Sequence, residues 1–126
     1  MTTSDQIDPL ADEFFGALEE GPVERVLACY APDARIWHNF DQIVLTPAES
    51  VAGLELLFTN FTQRRYIDVR RTPTPNGFVQ QHILRLTRVD GVVIDWPGCI
   101  VFEVADGKIT RLDEYVDIAT LSVGSS

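Results

Sequence analysis

The chain has 126 residues with 10 Lys+Arg against 19 Asp+Glu, a net charge of −9. That length suits one domain spanning 1–126, large enough to bury a core without a disulfide or a structural metal. The acidity removes any electrostatic case for binding nucleic acid or an anionic membrane, and 45% hydrophobic residues with 23% charged mark a folded rather than a disordered chain.

The opening, MTTSDQIDPL, has neither the basic start nor the apolar run of a secretion signal. No stretch approaches the roughly 18 apolar residues of a membrane span. A cytoplasmic protein is expected. Ile7, Leu10, Phe14 and Leu18, flanked by Ala11 and Phe15, form one apolar helical face that ends at Gly21-Pro22. Val23, Val26, Leu27 and Tyr30 predict a short second helix closed by Ala31-Pro32-Asp33, and Ala34 to Phe40 predicts an isolated short strand. Thr46-Pro47-Ala48-Glu49 opens a third helix with a capping-box signature, and Leu54, Leu57, Phe58 and Phe61 give it a buried stripe.

From residue 64 the apolar period falls to two. Tyr66 to Arg70 predicts a strand, followed by a turn at Pro75-Asn76-Gly77 and a second strand from Phe78 to Arg88. Asp90-Gly91 and Asp106-Gly107 are hairpin turns, with Val92 to Val104 between them bending or bulging at Pro97-Gly98. Lys108 to Leu121 is the last strand. Helices followed by strands predict an α+β fold: a curved, cone-shaped antiparallel sheet packed on three N-terminal helices and enclosing a pocket for a small ligand.

Alternation places a few polar side chains on apolar faces. His38 shares a face with Ile36 and Phe40; His82 and Gln80 share one with Phe78, Leu84 and Leu86; Glu114 shares one with Leu112, Val116 and Ile118. A carboxylate buried among such neighbours costs several kcal/mol unless it is paired or protonated, and histidine is a natural partner. A His–Glu pair in an apolar pocket is a proton-transfer device or, equally, a structural hydrogen bond. Two histidines and a glutamate could also build a facial metal site, but no spacing singles that out; no metal and no other cofactor is expected. Cys29 and Cys99 lack metal-ligand spacing, and no nucleophile-elbow, P-loop or dinucleotide-binding motif is present.

Tyr30-Ala31-Pro32-Asp33-Ala34-Arg35-Ile36-Trp37-His38 and Gly107-Lys108-Ile109-Thr110-Arg111-Leu112-Asp113-Glu114-Tyr115-Val116-Asp117 resemble the Y-A-x-D-A run and the final strand of the nuclear transport factor two-like superfamily. Within it, the likeness is to the SnoaL-like small-molecule enzymes. The resemblance implies a homodimeric cone over nearly the whole chain. Counting without gaps, His38 takes the place of the aspartate base of ketosteroid isomerases, while their tyrosine and protonated-aspartate donors fall on Phe14 and Cys99, which cannot replace them. In the limonene-epoxide hydrolase array Glu114 matches the second aspartate, but the Arg-x-Asp pair reads Ile83-x-Arg85, or His82-x-Leu84 one residue over, and the Tyr-x-Asn pair reads Ile36-x-His38 or Trp37-x-Asn39, so the water-activating array is not preserved. The SnoaL-type cyclases, with an acid/base carboxylate on the last strand near Glu114, conflict least.

The expectation is therefore acid–base chemistry of isomerase, cyclase or hydrolase type on a small, largely apolar molecule. His38 and Glu114 handle the proton and His82 orients the substrate. Phe14, Ile36, Phe58 and Cys99 line the pocket, with Trp37 and Asn39 facing it only if the strand register slips by one. The alternative is a non-catalytic binding or dimerisation module of the same fold.

Overall fold

The computed structural model describes residues 4–118. Helix α1 (Ser4–Glu20) buries Ile7, Ala11, Phe14, Phe15 and Leu18 along the stripe its sequence predicts. It stops where Gly21 takes a positive φ of 76° and its N–H closes on the Ala17 carbonyl. Helix α2 (Val23–Leu27) is shorter than its apolar period suggests. Tyr30 begins strand β1 (Tyr30–His38) instead, because its backbone pairs opposite Ile109 of the last strand. Pro32, expected to close the helix, lies inside β1 where the register shifts between Tyr30 and Arg35, a place where a missing N–H removes no ladder bond.

A two-residue strand β2 (Val44–Leu45) precedes helix α3 (Pro47–Asn60). The Thr46 side chain accepts from the Glu49 N–H while the Glu49 carboxylate accepts from the Thr46 N–H, so the expected capping box is present. Thr46→Ala is expected to cost about 1 kcal/mol of stability in chemical denaturation, with an unchanged m-value.

Strand β3 (Phe61–Thr74) is much longer than predicted and takes Phe61 out of the helix. It is bulged between Ile67 and Arg70, where Asp68 has a φ of 52°, so its period-two pattern is broken and its length hidden. Strands β4 (Gly77–Arg88), β5 (Val93–Ala105) and β6 (Lys108–Val116) follow as antiparallel neighbours. β6 ends at Val116, and Leu121, predicted to close it, lies outside the described residues. Gly77 permits the close approach of β5, since a Cβ there would lie 2.0 Å from the Phe102 carbonyl oxygen.

Of the bend or bulge expected at Pro97-Gly98, no bulge forms: pairing with β4 runs unbroken from Gly77↔Glu103 to Thr87↔Val93. The Pro97 carbonyl accepts from the Asp117 N–H just past the end of β6, so its nitrogen points the same way and the β4 ladder loses nothing.

The sheet has the order β2-β1-β6-β5-β4-β3. It is mixed, not antiparallel throughout: β1, read as isolated, runs parallel to β6 and bridges it to β2. α1 lays its phenylalanines against Phe78, Ile100, Phe102 and Leu112 to form the core, with the Phe78 and Phe102 rings stacked 4.2 Å apart. The α3 stripe is only half-buried at Leu54 and Leu57, because those side chains face a cavity between α3 and the sheet rather than packed neighbours. Among the described residues no helix is long and apolar enough to cross a membrane.

Candidate active site

The cavity has a volume of about 380 Å³. Phe14 and Leu18 of α1 close its inner end, β1 and β6 contribute Tyr30, Ile36, His38, Leu112 and Glu114, and α3 covers it. His38 and Glu114 are paired residues of the parallel β1–β6 ladder, so both side chains leave the sheet on the same face. His38 Nε2 lies 3.2 Å from Glu114 Oε1, with the two side chains 22% and 17% exposed, open to the cavity but largely withdrawn from water.

Burial pulls the His38 imidazolium down, but the hydrogen bond and charge of Glu114, helped by Asp41, outweigh it and the net shift is upward. Phe40 stacks on the His38 ring with centroids 5.0 Å apart, and the turn that follows is held by Gln42 N–H donating to the His38 carbonyl. In the same turn the Asp41 carboxylate accepts from the Ile43 N–H at 3.0 Å.

Ile36, His38 and Glu114 thus meet at the cavity on the faces that alternation gives them, joined by Phe14 of the α1 stripe, and the other predicted residues do not. Trp37 points to the opposite face of the sheet and packs edge-on against Tyr115 at 5.2 Å. Asn39 continues the ladder: its N–H donates to the Glu114 carbonyl and its Oδ1 accepts from the Val116 N–H. Cys99 sits opposite Gln81 on the outer face. Phe58 lies against Gly21 and beneath the Arg64 guanidinium, 4.0 Å from the ring centroid.

His82 does point inward, into the core and not to the cavity wall. Its ring packs against Phe15 and Tyr66, with the Tyr66 centroid at 4.7 Å. Gly98 leaves it room, since a Cβ there would lie 3.1 Å from its Nε2. The Gln80 Oε1 accepts from Arg71 Nε at 2.7 Å, so its amide nitrogen faces His82 Nδ1 at 3.0 Å. Nδ1 is therefore the acceptor and a neutral ring carries its proton on Nε2. Burial drives His82 down to about 4, only partly opposed by the charge of Glu114.

Two groups escaped the sequence reading. Tyr30 and Tyr66 line the cavity, and burial, reinforced by the negative charge of Glu114, raises both phenols so that they stay protonated donors. Tyr30 stands inside the Y-A-x-D-A motif, but the apolar period assigns it to a helix. Tyr66 stood on a strand whose bulge obscured its facing. Trp96 also reaches the cavity, as does Asn60, which carried no signal. Among the described residues no three metal-ligating side chains gather.

No curated protein matches the sequence. Solved structures match the fold closely at low identity. A polyketide cyclase candidate from Xanthomonas campestris pv. campestris has a TM-score of 0.79 at 18% identity, with 94% of this chain and 95% of that one covered. AusH from Aspergillus nidulans has a TM-score of 0.82 at 18% identity, covering 95% and 89%. A protein with a ketosteroid isomerase-like fold from Catenulispora acidiphila, solved with trimethylamine, has a TM-score of 0.79 at 8% identity, covering 90% and 89%. At such identities the likeness carries the fold and no activity. The SnoaL-like domain model matches residues 11–112, from the first helix into the last strand and two residues short of Glu114. With most of the sequence and the whole architecture in agreement, the chain belongs to the SnoaL-like domain family.

Proposed function

We propose that the protein is an acid–base enzyme of isomerase, cyclase or hydrolase type acting on a small, largely apolar molecule held in the cavity. The observation that carries this is the His38–Glu114 contact of 3.2 Å on the wall of an apolar cavity. With Nε2 engaged by Glu114, Nδ1 of His38 and Oε2 of Glu114 are the positions left to take a proton from the substrate and return it elsewhere. Tyr30 and Tyr66 offer neutral hydroxyls to an oxygen that gains charge on the way, and a low-dielectric surrounding strengthens such bonds. His82 acts from behind, by holding the Tyr66 ring.

A panel of enolisable ketones, β-dicarbonyls and epoxides tests this. Turnover by the wild type that disappears in His38→Ala supports it. Saturable binding of the same compounds with no turnover of any would replace it with a binding protein.

We also propose that the outer face of the sheet pairs with a second copy of the chain. Trp37, Tyr115 and Val101 form an apolar centre there, with Tyr115 and Val101 exposed. Ladder partners place Arg35, Arg65, Arg70, Arg85 and Arg111 on this face, half of the chain's 10 cationic residues, against Asp95, Glu103 and Asp113. Two chains of charge −9 repel each other, and this face, with Arg85–Asp95 and Arg111–Asp113 already paired, is where that repulsion is least. Sedimentation equilibrium is expected to show a dimer that Tyr115→Arg converts to a monomer. A wild-type monomer at tens of micromolar overturns the pairing.

A further inference from the structure

We propose that the cavity selects molecules whose charge, where they carry one, is positive: a tertiary or quaternary amine on an apolar body of one or two rings. This rests on the cavity being the ligand site argued above, and it adds the charge and size of the ligand. Six aromatic side chains line the cavity, namely Phe14, Tyr30, Phe40, Phe61, Tyr66 and Trp96, and two carboxylates, Asp41 at its mouth and Glu114 within. Among the described residues, none that lines the cavity is a lysine or an arginine. Arg64, a cation of the adjoining β3, is committed elsewhere, donating to the carbonyls of Leu18, Glu19 and Phe61.

A carboxylate or phosphate entering such a space would meet two like charges, and the one described lining group able to carry a positive charge, His38, is already paired with Glu114, at a dielectric that magnifies the penalty. A cation meets ring quadrupoles and carboxylates instead, the combination that favours alkylammonium groups once water is removed. At interior-like packing about 380 Å³ holds roughly 15 non-hydrogen atoms, which sets the size.

Binding of a cation has a second consequence, because the ligand competes with protonated His38 for Glu114. The charged groups facing His38 are Glu114 from β6 and Asp41 from the turn after β1. The phenols of Tyr30 and Tyr66 and the neutral His82 behind them carry no charge, and α3 brings only Ser50 and Asn60 as polar groups. A cation among these carboxylates expels a proton from His38, so affinity for a permanently charged ammonium rises with pH through the His38 titration.

The experiment uses three probes on one 2,2-dimethyl-3-phenylpropyl body, the N,N-dimethylamine, the alcohol and the carboxylate, titrated into the full chain at pH 7 with nitrogen-15 NMR detection. The amine is expected to bind at least about ten-fold more tightly than the alcohol, with the carboxylate weakest. Asp41→Asn, at the exposed mouth, and Glu114→Gln should each reduce the amine-to-alcohol ratio several-fold. An alcohol or carboxylate that binds as tightly as the amine, or a ratio unmoved by both substitutions, overturns the charge preference and leaves the ligand cavity standing. Failure of all three to bind at millimolar concentration overturns both. Calorimetry of benzyltrimethylammonium in two buffers of different ionisation enthalpy reads the proton release, and its absence also counts against the proposal.

Discussion

Glu114→Gln is expected to lower kcat/KM by about 10²–10⁴-fold on any substrate the protein turns over, and His38→Ala by a similar factor. The two losses should not add, because each substitution dismantles the same pair. The glutamine variant carries the more informative pH profile. In the wild type the upward shift of His38 comes from the Glu114 hydrogen bond and charge acting against burial. Without the carboxylate, burial prevails, and the pH at which His38 releases its proton falls below that of the wild type. A wild-type profile rising with pH through His38 should therefore keep its shape in the variant, at lower amplitude and with its midpoint moved to more acidic pH. Stability carries the same sign. A histidine whose folded pKa is raised contributes stability fully present below its unfolded value near 6.5 and lost as pH rises through the folded value. Glu114→Gln removes that contribution, so the stability difference between the two proteins should narrow from pH 6 towards pH 9. Unchanged turnover, or parallel stability curves, would remove the pair from the mechanism.

His82 should make the opposite contribution. Its folded pKa lies at about 4, below an ordinary value of 6.5. Unfolded chains then bind a proton that the folded protein refuses, and the stability present above about pH 6.5 is lost as pH falls through 4. The gap corresponds to about 3 kcal/mol. His82→Gln leaves no ionisable group there, and its carbonyl can accept the bond that Gln80 now gives to Nδ1. The variant is expected to be the less stable protein at pH 7.5, since a ring packed on Tyr66 and Phe15 has been replaced. Urea unfolding should find that its disadvantage shrinks by about 3 kcal/mol by pH 4. Acidic side chains elsewhere titrate in both proteins and cancel in the difference. A constant difference across that range would mean that His82 is charged or hydrated in the folded state.

Two chemically similar histidines thus end in opposite states, and strand alternation could not separate them. Both fall on inward faces by alternation, which reports only the side of the sheet a residue occupies. His38 ends its strand beside a carboxylate and an open cavity, whereas His82 lies mid-strand with a neutral Gln80 as its partner. Glu114 was legible for another reason: an acid among Leu112 and Val116 has to be paired or protonated, so its need for a partner followed from its neighbours alone. That His38 is the partner rests on the resemblance, which sets His38 in the place of a catalytic base, and the 3.2 Å contact agrees with it. Trp37 and Asn39 were placed at the cavity only under a register slip, and the β1–β6 pairing turns both away. Phe58 and Cys99 were given to the pocket, the first on a helical period and the second on a resemblance counted without gaps. Helix α3 presents Leu54 and Leu57 to the cavity instead, and Cys99 looks outward.

What the sequence by itself determined is local. The stripe of α1, the capping box of α3, the hairpin turns and the facing of β4 and β6 all arise from residues a few positions apart, whose propensities and periods act without knowledge of the rest of the chain. The tertiary structure alone decided the parallel pairing of β1 with β6, the bulged length of β3 and the recruitment of Tyr30 and Tyr66 to one cavity. Each of these joins segments far apart in the chain. The free energy that selects them is the burial and hydrogen bonding released only when those segments meet, and no single segment carries it.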